Sequence, residues 1–249
     1  MSDLWRGAQQ RSEEFDARAL DYDQYRPRYP DGLFDDIVEL GALQPGATVI
    51  EIGAGTGIAT GALADRGLQV TAIEPASAMA ALGVTRLGSR ARFVVGRFED
   101  WSPIEQVQLV LACNAWHWIE PQAGVQLVAD LLPSGGSLAL VWTEIVSWGE
   151  EPFEDRLATE FGSLWAKTFD HVLGSLRSVE QDQRFDDFQV RRHRFERTLD
   201  ASTFVAVSRT YGADYGAEHD RIIHRIIDDE LGGTVTKVED AVLYLARRR

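Results

Sequence analysis

The sequence predicts an α/β fold built on a mostly parallel sheet, and three observations predict it. An apolar run, Val49-Ile50-Glu51-Ile52, feeds a glycine-rich turn, Gly53-Ala54-Gly55-Thr56-Gly57, and a second run, Val70-Thr71-Ala72-Ile73, ends on the acid Glu74. Short apolar segments alternate with helical periodicity through the first half of the chain. The second half closes with two strand-like segments suited to antiparallel pairing.

Thr48 to Ile52 is a continuous apolar strand, Gly57 to Arg66 a helix ending before Gly67, and Gln69 to Glu74 a second strand. Ser77 is placed to cap a helix from Ala78 to about Leu87, followed by strands at Arg92 to Val95 and Val107 to Ala112. Pro121 opens a helix to Leu132 because its fixed φ suits the first turn, where no amide donor is needed. Pro133-Ser134-Gly135-Gly136 then turns the chain into a fifth strand, Ser137 to Thr143, completing a right-handed βαβ succession. From Trp148 to about Ser178 the spacing of Phe153, Leu157, Phe161, Leu164, Trp165 and Phe169 is helical. A sixth strand, Gln189 to Thr198, precedes helices near Ala201 to Tyr211 and Ala217 to Leu231, and Thr234 to Arg247 is expected to pair antiparallel beside it. With no repeat, low-complexity tract or linker, residues 1–249 are expected to form a single domain. Residues 1–45 form an N-terminal arm and 148–183 a helical cap insertion.

Composition narrows the function. A chain of 249 residues that is 45% hydrophobic and 10% aromatic can bury a sizeable core. The formal charge of −14 argues against nucleic acid or an anionic membrane as partner, since both call for a basic surface. The basic run Arg191, Arg192, His193, Arg194 and Arg197 alternates with Gln189, Val190, Phe195 and Thr198 and reads as one face of a strand, while Arg247 to Arg249 reads as a solvated tail. The lone Cys113 excludes an internal disulfide, and the N-terminal residues lack a signal-peptide pattern, so a cytoplasmic location is expected. His171, His193, His219 and His224 show no metal-ligand spacing, and no metal site is expected.

The glycine turn carries the chemistry. Glycines at every second position let a ligand lie against the main chain, and a carboxylate such as Glu74 accepts from both hydroxyls of a ribose. A dinucleotide fold wants G-x-G-x-x-G over a pyrophosphate. Here the third glycine comes one place early, Ile58 stands at the dinucleotide position, and the turn holds no Lys or Arg, which disfavours a nicotinamide-dependent dehydrogenase.

The pattern Glu51-x-Gly53-x-Gly55-x-Gly57 resembles the first motif of class I S-adenosylmethionine (SAM) dependent methyltransferases. Tyr22-Asp23-Gln24-Tyr25-Arg26-Pro27-Arg28-Tyr29-Pro30 resembles the Y-x-x-Y-R-P-x-Y-P opening of a methyltransferase type 11 subgroup that includes trans-aconitate methyltransferase-like proteins. Gly96 to Trp101, Ala112 to Trp118, Gly232-Gly233-Thr234 and Leu243 to Arg247 resemble further segments of that family, so the likeness covers nearly the whole chain. It implies a Rossmann-like class I methyltransferase fold: a seven-stranded, mostly parallel sheet with a C-terminal antiparallel hairpin and a helical cap. It also implies SAM as cofactor, S-adenosylhomocysteine (SAH) as product and a small-molecule methyl acceptor; a monomer or homodimer is expected.

Residue by residue, the resemblance places Gly53, Ala54, Gly55 and Gly57 under the methionine end of the cofactor, with Glu51 orienting the turn or the ammonium group. Tyr22 and Arg26 belong beside them, where the Arg26 fork suits a carboxylate or instead pins the arm. Glu74, followed by Pro75, takes the ribose; Met79 lies on an adenine face or fills core; Arg97 and Phe98 meet the ring edge; Glu99, or else Asp100, accepts from the amino group. Asn114 and Ala115 fall beside the reactive methyl. His117, between Trp116 and Trp118, is the catalytic candidate, able to deprotonate a hydroxyl, hydrogen-bond a substrate carboxylate or anchor the loop. Trp5, Trp148, Trp165 and Phe169, with Arg6, Arg11 and Lys167, either line an acceptor site for an aromatic or amphipathic molecule or pack on each other. The implied activity is methyl transfer to O or N of a small organic molecule, a carboxylate by analogy. The alternative is a non-catalytic module that binds the cofactor for regulation or stability.

Overall fold

The computed structural model describes residues 12–101, 105–149, 151–161, 176–210 and 216–249. Its strands are β1 (Thr48–Ile52), β2 (Gln69–Glu74), β3 (Ala91–Val95), β4 (Leu109–Cys113), β5 (Ser137–Trp148), β6 (Phe185–Leu199) and β7 (Val235–Arg248). They form one seven-stranded sheet in the order β3-β2-β1-β4-β5-β7-β6. β1 to β5 pair in parallel, and β7 inserts antiparallel between β5 and β6. The chain winds outward from β1 to β3 and then returns to β4 on the other side of β1. That reversal opens a crevice at the carboxyl ends of β1 and β4.

The strands at that crevice are apolar on both faces because both are covered; every residue of β4 is buried. With period 2, Ile50, Ile52, Val110, Ala112, Leu138 and Leu140 pack on one side with the helix Pro121–Leu131. Val49, Leu109, Leu111, Ala139 and Val141 pack on the other with the helix Asp31–Leu40. A third cluster, Phe153, Leu157, Phe204, Ile223 and Val235, lies at the end of β6 and the start of β7, with the helices Glu151–Phe161, Ala201–Thr210 and Gly216–His224. Among the described residues no helix is long and apolar enough to cross a membrane.

Several boundaries differ from expectation, each for a non-local reason. β5 runs past Thr143 to Trp148 because β7 keeps pairing with it to Trp148↔Lys237, across an irregularity between Ile145 and Ser147. β6 starts at Phe185, its early part hidden by a register shift where Asp187 takes φ +48. β4 runs from Leu109 to Cys113, shifted toward the crevice. The last helix changes at Arg225 into a π-helical turn, Arg225–Glu230. Ser77 does not cap its helix; it is the first helical residue, and Asp16 of the arm accepts from the Ala78 amide at 2.7 Å in its place. The basic run of β6 is spread over both faces of the strand. Arg194 meets Asp240 at 3.0 Å on one face, while His193 meets Asp36 at 3.0 Å and Arg197 meets Glu239 at 2.7 Å on the other.

Candidate functional site

A cavity of about 610 Å³ occupies the crevice, and the chain builds it wall by wall. Its floor is the glycine turn after β1. Gly53 holds φ +63, and a Cβ there would fall 2.6 Å from the Ala115 Cβ, so only glycine lets the turn close on the loop after β4. Gly55, at φ +57, donates its amide to Glu74 Oε2 at 2.7 Å.

Glu74, at the carboxyl end of β2, lines the cavity and also accepts from the Ala76 amide at 2.8 Å through Oε1. Each carboxylate oxygen keeps a second lone pair for a ligand hydroxyl. Burial raises its pKa to about 7, against the pull of those two amides. Glu51 sits beneath the turn, outside the main cavity, and accepts from Thr60 Oγ1 at 2.5 Å. Burial pushes it to about 8.

The far wall is Gly96 to Asp100, facing Pro75, Met79 and Ile119. Phe98 is buried, Arg97 reaches Glu99 at 3.3 Å, and Glu99 and Asp100 both line the space. Over the top lies the arm, through Ser12, Glu13, Phe15 and Tyr22. Two aspartates latch it: Asp16 on the helix Ser77–Leu87, and Asp23 on Thr56 Oγ1 at 2.6 Å and Arg86 at 2.5 Å.

The wall after β4 consists of Cys113, Asn114, Ala115, Trp118 and Ile119. His117 is not part of it. Its ring lies against Trp118, 4.3 Å between centroids, and Trp118 is the side chain that faces the cavity, while Trp116 is buried in the core. Beside this wall a small cleft opens among Tyr22, Arg26, Tyr29, Glu51, Ala54 and Asn114. There Arg26 stacks 4.8 Å over the Tyr22 ring and donates to the Thr210 carbonyl at 2.9 Å.

Of the residues expected at a cofactor site, Tyr22, Gly53, Gly55, Glu74, Pro75, Met79, Arg97, Phe98, Glu99, Asn114 and Ala115 line the cavity. Arg26, Glu51 and Ala54 line only the adjoining cleft, and Gly57 lines neither, its left-handed φ of +76 serving the helix start against Phe93. Trp148 packs on Phe153 and Phe204 at 5.0 and 5.5 Å, away from the cavity. Trp5, Arg6, Arg11, Trp165, Lys167 and Phe169 lie outside the described residues. Tyr29 was not singled out as a site residue; its only signal in sequence was its place at the end of the Tyr22 to Pro30 motif.

Residues 49–136, which carry the glycine turn, Glu74 and the loop after β4, match the protein family described as methyltransferase domain. An uncharacterized methyltransferase of Mycobacterium tuberculosis is 34% identical over 151 residues, 55% of this chain and 60% of that protein. A probable S-adenosylmethionine-dependent methyltransferase of Saccharomyces cerevisiae is 32% identical over 160 residues, 59% of this chain and 52% of that protein. The chain thus spans about 60% or less of the length of these curated relatives. Among solved structures, the YcgJ protein of Bacillus subtilis superposes with a TM-score of 0.55 at 15% identity, covering 88% of this chain and 97% of that one. Phosphoethanolamine N-methyltransferase 2 of Haemonchus contortus, in complex with S-adenosyl-L-methionine, gives 0.54 at 13% identity, covering 94% of this chain and 57% of that one. At these identities the structures share the fold. The matched residues supply the floor and far wall of the cavity, whereas the arm that roofs it lies before residue 49.

Proposed function

We propose that the protein is a SAM-dependent methyltransferase that transfers the methyl group to an O or N atom of a small organic molecule. One observation carries this reading: a single cavity joins the glycine turn, the buried Glu74 and the loop after β4. Its volume of about 610 Å³ suits a nucleoside-sized cofactor with space beside it.

When bound, SAM supplies a methyl on a sulfonium, which passes to a nucleophile as the carbon–sulfur bond breaks and its electron pair stays on sulfur, leaving SAH. The chain's part is to bind, align and keep water out. Glu74 offers its free lone pairs to the ribose diol, Met79 and Phe98 give the adenine soft and flat surfaces, and Glu99 or Asp100 accepts from its amino group. Glu13, Glu99 and Asp100 outnumber Arg97 on the lining, a field that favours a cationic cofactor over its neutral-sulfur product. Trp118, on the loop after β4, shields the methyl-transfer end. His117, off the wall and packed at a tilt against Trp118, fits the role of loop anchor among the three open to it.

The test is transfer of radiolabel from methyl-tritiated SAM to a panel of small carboxylates, phenols and amines. Label in an organic acceptor supports the proposal. Protein that binds SAH yet labels nothing in the panel or in a metabolite extract is a non-catalytic module.

A further inference from the structure

The hydrogen bonds around Asn114 force the direction of one proton. Asn114 holds a left-handed backbone (φ +51) at the end of β4 and aims its carboxamide at β5. The Thr143 backbone amide, which can only donate, lies 3.0 Å from one side-chain atom of Asn114, so that atom is the oxygen. The other atom is therefore the nitrogen, and it donates to Thr143 Oγ1 at 3.1 Å and to Tyr29 Oη at 2.9 Å. Both amide protons are spent, and Tyr29 stands as an acceptor toward Asn114. The phenol's own proton must point elsewhere, and among the described residues it has no acceptor. Burial holds the phenol well above its ordinary pKa, so the proton stays on it at neutral pH.

That proton belongs to the small cleft, which Tyr29 lines together with Arg26, Glu51, Gly53 and Ala54. The Arg26 guanidinium is close enough to the phenol to lower its pKa against the effect of burial. A neutral O–H donor and a guanidinium on one cleft select an anionic oxygen, and a carboxylate presents two. We propose that Tyr29 donates a hydrogen bond to a ligand carboxylate bound in this cleft, with Asn114 as the positioning residue that turns the phenol toward it. The inference rests on the methyltransferase reading, which offers two sources of such a group: the amino-acid end of the cofactor and a carboxylate on the methyl acceptor.

The experiment is calorimetric titration of wild type and Tyr29→Phe with SAH, with its decarboxylated analogue S-adenosyl-3-thiopropylamine, and, for the SAH-loaded protein, with benzoate. The variant keeps the ring, which sits edge-on to Phe34 at 6.0 Å, so an unchanged melting temperature is expected. A charge-assisted hydrogen bond lost to the cofactor carboxylate weakens SAH about tenfold and leaves the analogue unchanged. A carboxylate on the acceptor leaves SAH unchanged and weakens benzoate by a similar factor. Asn114→Gly, which tolerates the positive φ while deleting the amide, is expected to reproduce whichever selective loss appears. Equal losses for SAH and its analogue, or no loss with any ligand in wild type-like folded variants, overturn the proposal. Wild-type protein that binds neither SAM nor SAH removes the methyltransferase reading itself, a separate result.

Discussion

Two parts of the site are assembled by opposite means. In the cradle of the glycine turn the contacts are local: Glu74 holds Gly55 and Ala76, and Glu51 holds Thr60, all within one βαβ unit. Around the adjoining cleft Asn114 ties Tyr29 of the arm to Thr143 of β5, and Arg26 reaches the Thr210 carbonyl from the opposite end of the chain. The cradle is made by one stretch of backbone. The cleft exists only when arm, sheet and the helix Ala201–Thr210 come together, which is where a fold held in common can vary.

The largest expected effect breaks the cradle. In Gly53→Val the added Cβ, 2.6 Å from that of Ala115, combines with a positive φ. Strain and overlap together should cost about 4 kcal/mol in urea unfolding and abolish SAH binding. Near wild-type values for both would show that the turn does not depend on that close approach.

Next in size is a pH effect on the two carboxylates of the cradle. Burial raises Glu74 from 4.5 to about 7 and Glu51 from 4.5 to about 8. Between those limits the folded state holds protons that the unfolded chain has released, so their contribution to stability is full below pH 4.5 and is lost as pH rises through 7 and 8. For Glu74 the loss is on the order of 3 kcal/mol. Unfolding measured at pH 5 and pH 8.5 should show it, and Glu51→Gln or Glu74→Gln should flatten the dependence. Stability that rises over this range would contradict the assignment.

A smaller effect probes how the arm is joined to the cradle. Asp16→Ala removes the acceptor at the start of the helix Ser77–Leu87 and should cost about 1 kcal/mol, as a lost helix cap does. Because Asp16 also latches the arm, SAH should dissociate faster in stopped-flow measurements. An unchanged dissociation rate would separate the arm from ligand exchange. Smallest of all, His117→Asn should leave the shape of the pH–rate profile intact, since the ring packs against Trp118 off the cavity wall. Disappearance of a limb would return His117 to the chemistry.

What was legible in the sequence follows the same division. β1, β2, the glycine turn and Glu74 are adjacent words whose spacing fixes their meaning, and the antiparallel closure was readable from the alternation in β6 and β7. The extension of β5 was not, because residues beyond Thr143 are strand only through their pairing with β7. Ser77 looked like a cap because a local residue is the usual donor of that acceptor, whereas Asp16 supplies it from 62 residues away. His117 drew attention by its chemistry and its aromatic neighbours, yet a short helical turn at Trp116–Trp118 aims Trp118 at the cavity. Tyr29 was missed because its role depends on an amide 85 residues away.

The most direct test of the central claim is calorimetric titration of wild type and Glu74→Ala with SAM, SAH and NAD. The account predicts micromolar binding of SAM and SAH to wild type, no response to NAD, and about tenfold weaker binding to the variant, as expected for hydrogen bonds lost at a buried carboxyl. Folded wild-type protein that ignores both adenosyl ligands, or a variant that binds them unchanged, would contradict it.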